Sequence, residues 1–247
     1  MSTAPRTDAA AVAADPLLKW REEFPILAKK TYLINNSLGA MPRAVRASLM
    51  EYADTWERDG VEAWHEWLPM VTATGDLIGK IINAPTGTVV MHQNVSTLSA
   101  ILASSLEFKR GKDGIVYDEL NFPSVHYVWK EMERRNARVE LVKSDDGITV
   151  PLERLLDAID SSTVVVPISH VLFRSAAIQD VKAIVEKAHK MGAIVILDTY
   201  QSVGTVPLDV QALDVDFVVG GSVKWLCGGA GAAYLYANPK QIGRAHV

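Results

Sequence analysis

The chain has 247 residues, 25 Lys+Arg against 29 Asp+Glu, and a formal net charge of −4. Hydrophobic residues make up 49% and charged residues 22%, a globular composition in a length that buries a sizeable core as one large or two modest domains. The single cysteine, Cys227, excludes a disulfide framework and a multi-cysteine zinc site and fits a reducing, cytoplasmic compartment, while the mildly acidic balance gives no electrostatic footprint for nucleic acid or an anionic membrane.

Residues 1–16 are rich in Ala, Ser, Thr and Pro without an unbroken apolar core, and read as a disordered arm, not a signal peptide. Residues 17–85 read as a helical segment, with Pro42 opening a helix over 43–58. The Trp-rich run from Trp56 to Trp67 is expected to pack against something large and flat.

From 86 to 240 short apolar runs alternate with amphipathic stretches. Residues 88–91, 114–117, 137–142, 163–168, 193–197 and 217–219 read as strands, most of them rich in Val and Ile as strands buried on both faces should be. Helices are expected over 95–106, 124–135, 152–159 and 178–191. The last carries a stripe of Ile178, Val181, Ile184, Val185 and Ala188 and closes at Gly192. This alternation implies an α/β domain, a mostly parallel sheet with helices on both faces. Residues 217–237 are long enough to span a bilayer, but five glycines and the central Lys224 predict two buried strands around a glycine-rich turn instead.

Ligands of open α/β sheets bind beyond the carboxyl ends of the strands. Four places there stand out: Asp198 to Gln201, Ser222-Val223-Lys224, Ser96-Thr97 at a helix start, and Asn121-Phe122-Pro123-Ser124. Singly, each has a structural reading: a turn-forming Asp, a Ser-Thr helix cap, a core Phe. A lysine in so apolar a run is harder to leave without a partner. Together they suit pyridoxal 5′-phosphate (PLP). Its aldehyde takes a lysine amine, its ring nitrogen a carboxylate, its phosphate hydroxyls and free N–H groups at a helix N-terminus, and its flat ring an aromatic face.

The stretches Tyr32 to Gly39, Phe122 to Tyr127, Ser169 to Ser175, Asp198 to Gln201 and Ser222 to Lys224, in this order, resemble fold-type I PLP enzymes of the class V aminotransferase group, and within it kynureninase. The resemblance runs from about residue 20 to 240. It implies a PLP-dependent transferase-like large domain with a seven-stranded, mostly parallel (mixed) sheet, acting as a homodimer on a small amino-acid substrate by kynureninase-like hydrolytic carbon–carbon cleavage. It further implies that Lys224 is the catalytic Schiff-base lysine and proton carrier, and that Asp198 pairs with the ring nitrogen. Gln201 would bond the ring hydroxyl, Ser96, Thr97 and Ser222 would hold phosphate, Phe122 would stack on the ring and Ser169 would line the pocket. Asn36, Ser37, Trp64 and His65 would face the substrate. The chain departs from the kynureninase pattern at Val223, where that family carries Tyr, and at Val125, where it carries an acid.

An aminotransferase, epimerase or cysteine desulfurase on another amino acid is the alternative, and a non-catalytic family member a second. A desulfurase needs a nucleophilic cysteine on a mobile loop, and Cys227 reads as a small buried filler inside the glycine turn. A dinucleotide-binding reading fails for want of a G-x-G-x-x-G opening a helix, and a metal site for want of ligand spacing among six histidines. Members of the group carry a C-terminal small domain, so residues 241–247 are expected to be a tail outside the family pattern and the small domain to be missing.

Overall fold

The computed structural model describes residues 15–241; the expected arm and tail fall almost wholly outside them. Seven strands form one sheet: β1 (Val89–His92), β2 (Gly114–Asp118), β3 (Arg138–Val142), β4 (Thr163–Ser169), β5 (Ile194–Asp198), β6 (Phe217–Gly221) and β7 (Ala233–Ala237). Their order across the sheet is β1-β7-β6-β5-β4-β2-β3. The pairs among β2, β3, β4, β5 and β6 are parallel, and β7 runs antiparallel to both β6 and β1. The sheet is therefore mixed, and β6 and β7 are the two strands expected around the glycine-rich turn.

Strand periodicity divides the core between two faces, because successive side chains point to opposite sides of a sheet. On β5, Val195 and Leu197 join a cluster with Ile184 and Val185, while Ile196 joins another with Leu98, Val125 and Trp129. β2 divides likewise, Val116 to one face and Ile115 and Tyr117 to the other. The first face is covered by α2 (Trp64–Ile82), α5 (Leu152–Ala158) and α6 (Val181–Lys190), and the second by α3 (Val95–Ser104) and α4 (Pro123–Glu131). Each fully buried aliphatic side chain contributes roughly 1.5–3 kcal/mol, so this two-sided core dominates the stability.

Helix boundaries moved where capping chemistry outcompeted the apolar pattern. α6 starts at Val181, because the Asp180 carboxylate accepts the Ala183 N–H at 3.0 Å and caps the helix there. Ile178, assigned to the buried stripe, is instead 61% exposed and bridges Val171. The helix expected over 124–135 splits into α4 and a 3₁₀ turn (Met132–Arg135) that closes on Asn136 at φ 67°. α1 (Arg43–Asp59) follows Pro42 as expected. The tryptophan run begins in its last turn. Trp56 and Trp64 stay exposed; Trp67 stacks on Tyr52 at 4.7 Å and receives the edge of Trp64 at 5.6 Å. These rings pack among themselves because α1 and α2 turn an apolar face outward. Among the described residues no helix is long and apolar enough to cross a membrane.

Strand order fixes where a ligand can sit. β2 leads outward to β3 at the edge, whereas β4, β5 and β6 step the other way. The direction reverses between β2 and β4, opening a crevice at their carboxyl ends.

Candidate active site

Parallel register brings the key polar residues together. Ser169 and Asp198, the last residues of β4 and β5, are direct partners in the ladder. Beyond β6 the chain turns through Ser222 and Val223 to Lys224, and beyond β2 a short turn delivers Phe122, which precedes Pro123 at the start of α4. After β1, Asn94 caps α3, its Oδ1 accepting the Thr97 N–H at 2.8 Å. A cavity of about 250 Å³ opens among these ends, and Lys224 and Asp198 are its one ammonium and one carboxylate.

Burial works against the charge on both members of this pair. Burial raises the Asp198 carboxyl to about 6, against the opposing pull of the Tyr200 N–H bond at 2.8 Å and the Lys224 charge. Burial also pushes the Lys224 ammonium down, and Asp198 only partly restores it. A lowered pKa raises the share of neutral amine, which is the nucleophilic form. Beneath the floor, the Ser169 hydroxyl donates to Asn121 Oδ1 at 2.7 Å, and Asn121 Nδ2 donates to the buried Asp118 at 3.0 Å. Ser169 is thus held by a buried chain of polar groups.

The lysine turn is clamped from both ends. Ser222 Oγ donates to the Ala232 carbonyl at 3.1 Å, and the Gly228 N–H to the Ser222 carbonyl at 2.8 Å. From the other side, the Gly39 N–H donates to the Val223 carbonyl at 2.7 Å. Gln201 ties the same two segments: its Nε2 donates to the Asn36 carbonyl at 3.0 Å, and its Oε1 accepts from Trp225 Nε1 at 3.2 Å.

Of the sequence candidates, the cavity wall gathers Ser37, Ser96, Phe122, Ser169, Asp198, Gln201 and Lys224. Thr97, Ser222, Asn36, Trp64 and His65 are not part of that wall. Ser222 braces the turn with its hydroxyl, Asn36 contributes a backbone carbonyl, and Trp64 and His65 stand exposed at the start of α2. The N–H groups of Val95 and Ser96, in the first turn of α3, find no acceptor among the described residues. Such a terminus suits an anionic group beside Ser96. Sequence reading missed Tyr200, Phe173 and Val223 on the wall. Of the side chains left unassigned, His126 tilts against the Tyr117 ring at 5.3 Å, Arg174 lies 5.4 Å from the Phe173 ring, and His170 Nδ1 is buried without a partner.

A family model described as aminotransferase class V matches residues 31–246. An uncharacterized aminotransferase of Bacillus subtilis, YcbU, is 33% identical over 220 residues, covering 89% of this chain and 58% of that protein. A kynureninase of Shouchella clausii is 30% identical over 243 residues, covering 94% of this chain and 57% of its own. The chain therefore spans 57% to 58% of the length of these relatives. Among solved structures, a C-DES mutant with glycine covalently linked to its PLP cofactor superposes with a TM-score of 0.81 at 20% identity, covering 91% of this chain and 60% of that one. The cysteine desulfurase CsdA of Escherichia coli gives a TM-score of 0.79 at 20% identity, with coverage of 92% and 59%.

Proposed function

The chain belongs to the class V aminotransferase family, and from that premise we propose that it is the cofactor-binding large domain of a PLP-dependent enzyme that acts on an amino acid through Lys224. The observation that carries this reading is the meeting of a half-buried amine with a lowered pKa, a carboxylate and an aromatic wall in one cavity, beside a helix N-terminus with free N–H groups. That donor set fits each functional group of the cofactor.

When bound, PLP supplies an aldehyde for amine attachment and a ring that withdraws electrons from the substrate α-carbon. Lys224 Nζ would anchor the cofactor's aldehyde and, as a free amine, would serve as the base at that carbon. Asp198, through the oxygen not engaged by Tyr200, holds a proton on the ring nitrogen and keeps the ring electron-poor. Ser96 and the start of α3 bind the phosphate, and Phe122 covers a ring face. Both polar ends of Gln201 are engaged within the protein, so its part is to hold the lysine turn against residue 36.

For the reaction, we infer kynureninase-type hydrolytic cleavage of a carbon–carbon bond, supported by the kynureninase likeness over 94% of the chain. Amino transfer is the second reading, favoured by the 33% identity to an aminotransferase. The outward apolar face of α1 and α2, with Leu49, Tyr52, Trp56, Trp64 and Leu68 exposed, supports a homodimer. The lone Cys227 supports a cytoplasmic location.

Titration with PLP tests the core of this reading. A visible absorption band is expected to form with the wild type and to be absent with Lys224→Ala; a wild type without the band sinks the proposal. Release of fluorescent anthranilate from kynurenine selects hydrolysis, and turnover in an amine-transfer assay alone selects the second reading.

A further inference from the structure

Behind Asp198, on the face of the sheet away from the cavity, two buried hydroxyls meet. Thr199 and Tyr234 are both fully buried, and Tyr234 Oη lies 2.7 Å from Thr199 Oγ1. Thr199 Oγ1 in turn donates to the Val219 carbonyl at 3.1 Å, the same carbonyl that accepts the Thr199 N–H at 2.8 Å. The Tyr234 proton has no other acceptor among the described residues, so the direction is set: Tyr234 donates to Thr199, and Thr199 to Val219.

Side-chain alternation places this pair opposite the carboxylate. Leu197 and Tyr234 belong to the core cluster that α6 covers, while Asp198 opens into the cavity on the other face. Gly220 makes the reach possible. It is the ladder partner of Tyr234 on β6, and a methyl group there would sit 2.7 Å from Tyr234 Cε1 and overlap the hydroxyl. Over the bare glycine the ring crosses β6, and its hydroxyl meets the residue that follows β5. Burial raises the pKa of the Tyr234 phenol, and the nearby Asp198 charge adds to the rise.

The Asp198 carboxylate is held by the Tyr200 N–H, which donates to Oδ1 at 2.8 Å from within the turn that begins at Thr199. Its direction therefore depends on where that turn is fixed. We infer that Tyr234 is a positioning residue: its hydrogen bond to Thr199 fixes the turn after β5 and so aims the free oxygen of Asp198 at the ring nitrogen of the cofactor. The inference rests on the PLP reading and adds to it a residue that touches neither cofactor nor substrate. A charge-assisted hydrogen bond weakens steeply as its angle is lost, so a small rotation of the turn is enough to matter.

Equilibrium binding of PLP to the full chain tests this without turnover, with the dissociation constant read from absorption titrations. Tyr234→Phe keeps the ring and removes only the hydroxyl. The loss of one hydrogen bond predicts about three- to tenfold weaker PLP binding. Tyr234 acts through the carboxylate, so in an Asp198→Asn background the same substitution should change the affinity by less than about twofold. Thr199→Ser keeps the accepting hydroxyl and should stay within about twofold of wild type. Wild-type affinity in Tyr234→Phe overturns the inference. So does an equal loss in both backgrounds, which would make the tyrosine a general structural support, or a Thr199→Ser variant as weak as Tyr234→Phe, which would give the role to the threonine methyl. If Tyr234→Phe does not fold, Thr199→Val breaks the same bond from the other side and is compared in the same two backgrounds. Unchanged binding there, or an equal loss in both, again overturns the inference. A wild type that binds no PLP overturns the cofactor reading itself, a result distinct from every variant comparison.

Discussion

The Gly39 N–H donates a 2.7 Å hydrogen bond to the carbonyl of Val223, the residue before Lys224. The two segments lie far apart in sequence, yet they approach so closely that a methyl group at 39 would collide with the Lys224 carbonyl and sit 2.9 Å from Cys227 Cα. Both obstacles are backbone, which cannot swing away as a side-chain tip can. The segment around residue 39 therefore sets the position of the lysine turn.

Gly39→Ala should accordingly act twice. Forcing the segments apart costs about 1–3 kcal/mol, as overpacking does elsewhere, and lowers the melting temperature by roughly 2–4 °C per kcal/mol in a chain of this size. The shifted Lys224 should also weaken formation of the PLP absorption band. A variant that melts and titrates like wild type would show that the turn is positioned by other contacts.

Asp198 makes the cofactor-free protein sensitive to pH. Its folded-state pKa of about 6 stands above the ordinary 3.8, with burial as the cause. Between those values the folded chain holds the proton more tightly than the unfolded chain, so stability falls as pH rises and the penalty is complete above about pH 6. The shift corresponds to at most about 3 kcal/mol, and less in practice because the cavity side of the carboxylate meets water. Asp198→Asn removes the penalty. Without cofactor it should be more stable than wild type near neutral pH, with the difference vanishing toward pH ~4. Urea unfolding at a series of pH values measures this, and parallel stability curves for the two proteins would rule it out.

The central strands were legible because their Val- and Ile-rich runs are buried on both faces. Asp198 and Lys224 were legible because a charge at the end of such a run has few structural uses. Side-chain direction inside turns was not. Ser222 precedes the lysine by two residues, yet its hydroxyl turns back to the Ala232 carbonyl. Tyr200 hid in the opposite way, since a tyrosine beside an acid carries no signal until Gly221 is seen beneath its ring. Ile178 fitted the period of α6, but the Asp180 cap three residues before Ala183 decided where that helix begins.

Ala176 is exposed and holds φ 60°, in the left-handed region where a Cβ is crowded. Its N–H and that of Leu172 close the loop after β4 through bonds of 2.9 Å to the Leu172 and Ala177 carbonyls. Those bonds fix the conformation, so Ala176→Gly should relieve the strain and stabilise the protein by up to about 1 kcal/mol, the added freedom of the unfolded glycine offsetting part of the gain. An increase in urea midpoint with an unchanged slope is the expected result. A decrease would mean that the alanine conformation is not strained.

Cys227 follows Lys224 by three residues, which makes it the one sulfur placed to take part in sulfur-removing chemistry. The geometry argues against it. The thiol is half-buried, its Sγ is directed at the Trp225 carbonyl 3.8 Å away, and burial pushes its pKa above the usual 9.0. The thiolate is the nucleophile, and here its population at neutral pH is small. The residue also sits at φ 55° with its N–H bonded to the Lys224 carbonyl at 3.2 Å, so its backbone shapes the lysine turn while its sulfur fills space. Cys227→Ala keeps the Cβ and that backbone. It should leave PLP titration and any turnover within about twofold of wild type, and the wild-type thiol should react with iodoacetamide more slowly than free cysteine at the same pH. Rapid alkylation together with loss of turnover in Cys227→Ala would reverse the assignment and make the sulfur part of the catalytic machinery.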